Sequence, residues 1–211
     1  MKRSAIPNTI TTVFLILEGL IYAAFLILDF TGRGGHTIWI KYSGILLCLI
    51  YALLCALRGG DKLVFPAMIF TAAADWFLLV RCNYLGVGVA LFLVVQSIYL
   101  VRLRKMGAGG GIQLRIILPL LFGVTLVLLR AATPLYLLVA LYFSQLVSNT
   151  VLAWRAKQWM YAIGMTLFVC CDICVGMFNI GLALSFSSIA MWMFYLPSQV
   201  IIVLTAKEAH T

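Results

Sequence analysis

Two aspartates interrupt long hydrocarbon runs: Asp75 in TAAADWFLLV (71–80) and Asp172 in LFVCCDICVG (167–176). A charged side chain at mid-bilayer depth costs about 3 kcal/mol on insertion scales. Such a group faces a cavity or a partner rather than lipid, and intramembrane carboxyls default to function. Two carboxyls forced into one dry chamber do not ionise equally, so one keeps a proton while the other stays free. That is an acid and a base in one pocket. It suits a reaction that passes through an oxocarbenium ion, such as cleavage of an enol ether or acetal. Protonation makes the cation, water adds, and the hemiacetal collapses. The same pair suits a proton-coupled transporter. A membrane Asp also serves as an assembly device, hydrogen-bonded to a neighbouring helix. No nucleophilic serine elbow, HExxH or P-loop is present.

Other polar side chains fall where they would line a chamber shared by the two acids. Gln96 and Tyr99 in LVVQSIYLV are three apart and share a helix face. Tyr195 and Gln199 in FYLPSQV share one by i, i+4 spacing, and Asn149 lies in another apolar run. Lys41 opens a run and is able to pair with a carboxylate. Each has a plainer reading: amides as helix–helix glue, tyrosines as packing, the lysine as a snorkelling interface residue. Glu18 is a further acid at depth, either functional or bridging helices. Cys170, Cys171 and Cys174 have no His nearby and no zinc spacing, so they read as small core hydrophobes, like Cys48 and Cys55. No metal or cofactor is expected, nor a disulfide framework.

The elements that must position these groups are membrane helices. The 211 residues are 64% hydrophobic and 10% charged, with a mean hydropathy of +1.12. A soluble domain carries roughly a quarter charged residues. A spanning helix needs about 20 apolar residues and satisfies its own backbone. The first apolar run is too long for a signal-peptide core and reads as a retained span. Eight spans fit: 9–30, 38–57, 62–81, 85–103, 114–130, 135–155, 159–179 and 186–206. The predicted fold is therefore all-α, a polytopic bundle of eight transmembrane helices. It forms a single integral-membrane domain over 1–211, with two four-helix halves at about 1–106 and 112–211. The basic, Gly-rich RLRKMGAGGGIQLR between them reads as a flexible hinge. Pro134 suits the start of the sixth span, and Pro197 should kink the eighth. Trp39 and Trp159 fall at span ends, as interfacial anchors do.

Eleven of the fifteen Lys and Arg residues lie at the termini and even-numbered loops or adjoining span ends, which predicts both termini cytoplasmic. The net charge of +9 is then mainly a topology signal. The basic residues are scattered among short loops, so nucleic-acid binding is not expected. Asp75 and Asp172 fall late in outward-running spans, at similar depth in the outer half. Integral membrane localisation follows, in the inner or plasma membrane for a bacterial cell.

The order of motifs carries a resemblance. A Lys opens span two (IKYSGILLCL), then comes an apolar-small-Asp segment (FTAAADWFLLV), then G-x-x-x-F-x-x-x-x-x-x-Y (GVALFLVVQSIYL). The second half gives Y-x-x-x-x-x-x-N (YFSQLVSN), an aliphatic-Phe-x-x-x-Asp segment (GMTLFVCCDICVGMFN) and Y-x-x-x-Q (YLPSQVII). This resembles the YhhN family of eight-span membrane proteins, which includes the lysoplasmalogenases, over roughly Lys41 to Leu204. The resemblance implies a hydrolase that cleaves the vinyl ether bond of lysoplasmalogen, a single-chain ether lysophospholipid, into a fatty aldehyde and a glycerophospho-headgroup. It puts the family's two catalytic acids on Asp75 and Asp172, its Lys on Lys41, and its closing Tyr and Gln on Tyr195 and Gln199. Lys41, Gln96, Tyr99, Asn149, Tyr195 and Gln199 are then the expected substrate-binding set. The chain departs from the family pattern at Tyr42, Ala74 and Cys171, and carries Gln96 where the family has His. An amide hydrogen-bonds but shuttles no proton at neutral pH. The rival reading is a non-enzymatic lipid-binding protein or proton-coupled small-molecule transporter.

Overall fold

The computed structural model describes residues 6–32, 37–81, 84–179 and 187–207. Among these, all regular structure is helical. The helices are α1 (Asn8–Phe30), α2 (Ile38–Leu57), α3 (Val64–Asp75), α4 (Leu85–Lys105), α5 (Ile112–Leu128), α6 (Pro134–Arg155), α7 (Trp159–Asn179) and α8 (Ser187–Leu204). Six stretches are long and apolar enough to cross a membrane; Val64–Val80 and Ile112–Leu128 are shorter apolar helices. Their bounds differ from the sequence expectation mainly at the ends.

The third helix brings a feature the sequence pattern did not announce. α3 stops at Asp75 and continues as a π-helical turn, Trp76–Val80, closed by Arg81 N–H donating to the Trp76 carbonyl at 3.0 Å. One inserted residue per turn re-aims the side chains around it, and such turns recur at functional sites.

Prolines act as their positions demand. Thr133 caps α6, its hydroxyl accepting Tyr136 N–H at 3.2 Å, and Pro134 takes the first turn. Pro197 lies inside α8 and cannot donate to the carbonyl of Met193. That freed acceptor receives Tyr22 Oη–H of α1 at 3.2 Å. The helix break is thus satisfied by a neighbour, as lipid-embedded backbone requires. Trp39 and Trp159 are exposed at helix ends.

The packing crosses the join between the halves: α8 lies against α1, α2 and α7, and α4 lies against both α3 and α6. α5 contributes no buried residue and rests on α6, where Phe122 meets Phe143 at 6.0 Å between ring centroids. The Gly-rich connection, expected as a free hinge, is held by its own arginine. Arg104 donates to the carbonyls of Ala108 (3.3 Å) and Gly110 (2.9 Å).

One close approach needs a glycine. Gly60, in the α2–α3 turn, faces the backbone carbonyls of Ala206 and Cys55, and a Cβ there would collide with the Ala206 oxygen. The next residue, Asp61, donates its N–H to that same carbonyl at 2.9 Å. Backbone atoms cannot swing aside as a side-chain tip does. Gly60→Ala should therefore cost about 1–3 kcal/mol, read as a lower apparent Tm in detergent. An unchanged Tm would show that this turn is not locked to the end of α8.

Candidate active site

Asp75 is almost fully buried and accepts Tyr195 Oη–H of α8 at 2.6 Å. Asp172 of α7 accepts Tyr142 Oη–H of α6 at 2.5 Å. Each hydroxyl satisfies one oxygen of a buried carboxyl, as a buried polar group requires. Each carboxyl thus has its own tyrosine, and the two pairs converge. Phe92 of α4 touches both tyrosine rings, with centroids 5.8 Å from Tyr142 and 6.5 Å from Tyr195. Phe168, one turn before Asp172, lies 5.6 Å from Phe92 and 5.6 Å from Tyr195. Asp75 and Asp172 are thus joined through Tyr195, Phe92 and Tyr142. Five helices therefore contribute to one cluster of two acids walled by aromatic rings.

Lys41 reaches this cluster through an aromatic relay. Its ammonium pairs with Asp29 at 2.7 Å and lies 5.3 Å from the Trp192 ring and 5.6 Å from the Phe25 ring. Trp192 in turn meets Tyr195 at 5.3 Å, edge to face. The expected pairing of Lys41 with a carboxylate is real, and Asp29 is the partner. Thr37 Oγ1–H donates to the other Asp29 oxygen at 2.8 Å.

The remaining predicted residues form a second layer. α4 and α8 run parallel and in register: Phe92 meets Tyr195, and ten residues on Arg102 donates to the Thr205 carbonyl at 3.1 Å. Gln96 and Gln199 each follow the upper contact by four residues, so both lie about 6 Å beyond the acids along the bundle. Asn149 Nδ2–H donates to Gln96 Oε1 at 2.9 Å and to the Gln96 carbonyl at 2.8 Å. Tyr99 is fully buried, its ring 5.8 Å from Tyr161. Gln96, Tyr99, Asn149 and Gln199 thus sit below the acids, and none of them hydrogen-bonds to Asp75 or Asp172 in this geometry. Glu18 stands apart, accepting Cys48 Sγ–H at 3.3 Å.

Tyr142, Phe92, Trp192 and Arg115 carry parts of this arrangement but were not among the expected site residues; Tyr142 and Phe92 entered only as motif positions. Tyr142 had a signal: it precedes Asn149 by seven residues, two turns along one face of α6. Arg115 Nη1–H and Nη2–H donate to Gln145 Oε1 and Asn149 Oδ1, each at 2.5 Å. Read only as a topology charge, it is tied into the helix layer beneath the acids.

No curated protein and no solved structure matches the chain. The YhhN family model matches residues 36–206. That stretch runs from just before α2 to the end of α8 and holds both acids, both tyrosines and the amide layer. On that match the chain belongs to the YhhN family.

Proposed function

We propose that the protein is a membrane-embedded hydrolase of single-chain vinyl ether lipids, cleaving lysoplasmalogen to a fatty aldehyde and a glycerophospho-headgroup. The observation that carries this reading is the convergence of Asp75–Tyr195 and Asp172–Tyr142 around Phe92. One carboxyl gives a proton to the alkene carbon β to the ether oxygen, and the carbon bonded to that oxygen becomes an oxocarbenium ion. The other carboxyl takes a proton from water as its oxygen adds to that carbon. The hemiacetal then expels the glyceryl oxygen, which is protonated, and the aldehyde keeps the oxygen from water. Aromatic rings around the acids suit the cation and keep bulk water out.

The same reading takes the chain as one integral-membrane domain of two four-helix halves, crossing eight times with both termini cytoplasmic, as the basic-residue bias supports. A lysophospholipid enters from the bilayer, its chain among the apolar helices. Lys41 is already neutralised by Asp29. We assign it to holding Trp192 against Tyr195 at the rim of the site. Gln96, Tyr99, Asn149 and Gln199 serve the water or headgroup side. A tie at the opposite end favours hydrolysis over transport. Arg102 is fully buried there, bonded to Asp61 at 2.6 Å and to the Thr205 carbonyl, and stacked 4.5 Å over Tyr161. A transporter needs a path through that end.

The test is aldehyde release by purified protein given lysoplasmalogen. No release above a vesicle blank would end the proposal. Given activity, Tyr142→Phe and Tyr195→Phe each remove one hydrogen bond to a buried carboxyl, leaving an oxygen unmatched at a cost of about 1–3 kcal/mol. Each should therefore slow kcat by roughly 10- to 100-fold. A Phe variant at either position with the full rate would detach that tyrosine from the chemistry.

A further inference from the structure

We propose that Gln96 Nε2 and Gln199 Oε1 form a buried hydroxyl-binding site under the carboxyl pair, its polarity fixed from outside by Arg115 acting through Asn149. The chain of reasoning begins at Arg115, whose guanidinium has donors and no acceptor. Its Nη2–H at 2.5 Å therefore compels Asn149 to present Oδ1. The Asn149 amide then has only Nδ2 left for α4, and that group donates to Gln96 Oε1 and to the Gln96 carbonyl. Gln96 must in turn point Nε2–H away from Asn149. That atom is buried and has no partner among the protein groups described.

On α8 the polarity is complementary. Ser198 uses its hydroxyl hydrogen on the Tyr195 carbonyl at 2.7 Å and accepts Gln199 Nε2–H at 3.4 Å. Gln199 Oε1 is left as a buried acceptor without a partner. Gln96 and Gln199 are 1% and 0% exposed, so solvent at the surface cannot serve them. The register of α4 and α8 sets these two side chains in one layer. A fixed donor and a fixed acceptor together call for a group that both accepts and donates, and a hydroxyl does so. Tyr99 Oη, three residues on from Gln96 and also buried without a partner, extends the same polar lining. A buried polar atom left unmatched carries its full desolvation cost, which makes an unoccupied layer unfavourable. Two sources of hydroxyl fit: water, and the free hydroxyl of a glyceryl headgroup. Arg115 and Asn149 are positioning residues here, touching neither.

This deepens the proposed hydrolase, yet its readout needs no turnover. A high-resolution structure of the full chain in lipid nanodiscs, with and without a non-cleavable single-chain alkyl ether lysolipid, tests it. A density peak within hydrogen-bond distance of both Gln96 Nε2 and Gln199 Oε1 is expected. A peak in the lipid-free state identifies water; a peak only with lipid, continuous with it, identifies the headgroup hydroxyl. Asn149→Asp leaves two facing acceptors, so it should abolish a headgroup-hydroxyl peak, which has one hydrogen to give, and keep a water peak, which has two. The new carboxylate pairs with Arg115 and offers its second oxygen to Gln96, which then turns Nε2 inward. Arg115→Lys, still donor-only, should keep it. Gln199→Leu must remove it, and serves if Asn149→Asp does not fold. Two results would overturn the site: the Gln96 and Gln199 amides bonded directly to each other, or a peak unchanged by Gln199→Leu. In an active enzyme, Asn149→Asp should lower kcat about tenfold at constant KM if water is held, or raise KM about tenfold if the headgroup is. Absent turnover would count against the hydrolase and leave the density result standing.

Discussion

Asp75→Asn and Asp172→Asn should each slow aldehyde release by roughly 10²–10⁴-fold, the usual contribution of a positioned acid or base. The substitution is chosen because it spares the architecture. An amide oxygen still accepts the Tyr195 or Tyr142 hydroxyl that now bonds at 2.6 or 2.5 Å, while proton transfer is gone. The double variant should be little slower than the worse single one, because groups that act as a unit lose their joint effect when either is removed. Glu18→Gln is the control: it removes a buried carboxyl that bonds Cys48 and lies outside the cluster, and the rate should hold. Product aldehyde measured over time, with Tm of each variant alongside, decides the matter. An Asn variant with normal turnover would remove its carboxyl from the mechanism, whatever the substrate proves to be.

The sequence made the helices plain because burial in lipid leaves a blunt mark. About 20 apolar residues in a row have few other readings, and the polar exceptions are conspicuous for the same reason. Asp75 and Asp172 could be picked out because a carboxylate is costly there. Tyr195 was picked out with Gln199; Tyr142 was harder. Tyr142 stood out only as the first residue of the Y-x-x-x-x-x-x-N motif, and nothing there tied its hydroxyl to Asp172. Which helix faces meet depends on packing between distant segments, and no spacing rule within one helix reports that. Phe92 is the clearest case, since it matters only as the ring between two tyrosines from α6 and α8. The π-helical turn after Asp75 was equally invisible. It turns on one extra residue accommodated between backbone bonds, and WFLLV carries no signal of it. Lys41 illustrates a partial reading: its need for a partner was legible, while the choice of Asp29 over the site acids rests on how α1 lies against α2.

Charge counting also hid something. Arg102 was useful from sequence as one of eleven basic residues marking a membrane side, and the positive-inside rule asks nothing more of it. The residue is fully buried. Nε–H bonds Asp61 Oδ2 at 2.6 Å, Nη2–H bonds the Thr205 carbonyl at 3.1 Å, and the guanidinium lies over Tyr161 at 4.5 Å. Asp61 meanwhile accepts Leu63 N–H at 2.9 Å on its other oxygen, holding the start of α3. One ion pair therefore ties the α2–α3 turn, α4, α7 and the end of α8. Removing one partner strands a buried charge, which costs about 3–5 kcal/mol. Arg102→Met and Asp61→Leu alone should each lower the apparent Tm markedly or abolish folded yield. The pair together should recover much of the loss, because two apolar side chains leave no charge behind. Thermal unfolding of the four proteins in one detergent gives the comparison. The double variant should also tell structure from function: its acid cluster lies several turns away, so restored stability should bring restored aldehyde release. A double variant as unstable as either single one would show that the Tyr161 stacking and the Thr205 bond, rather than the charge pairing, hold this end of the bundle together.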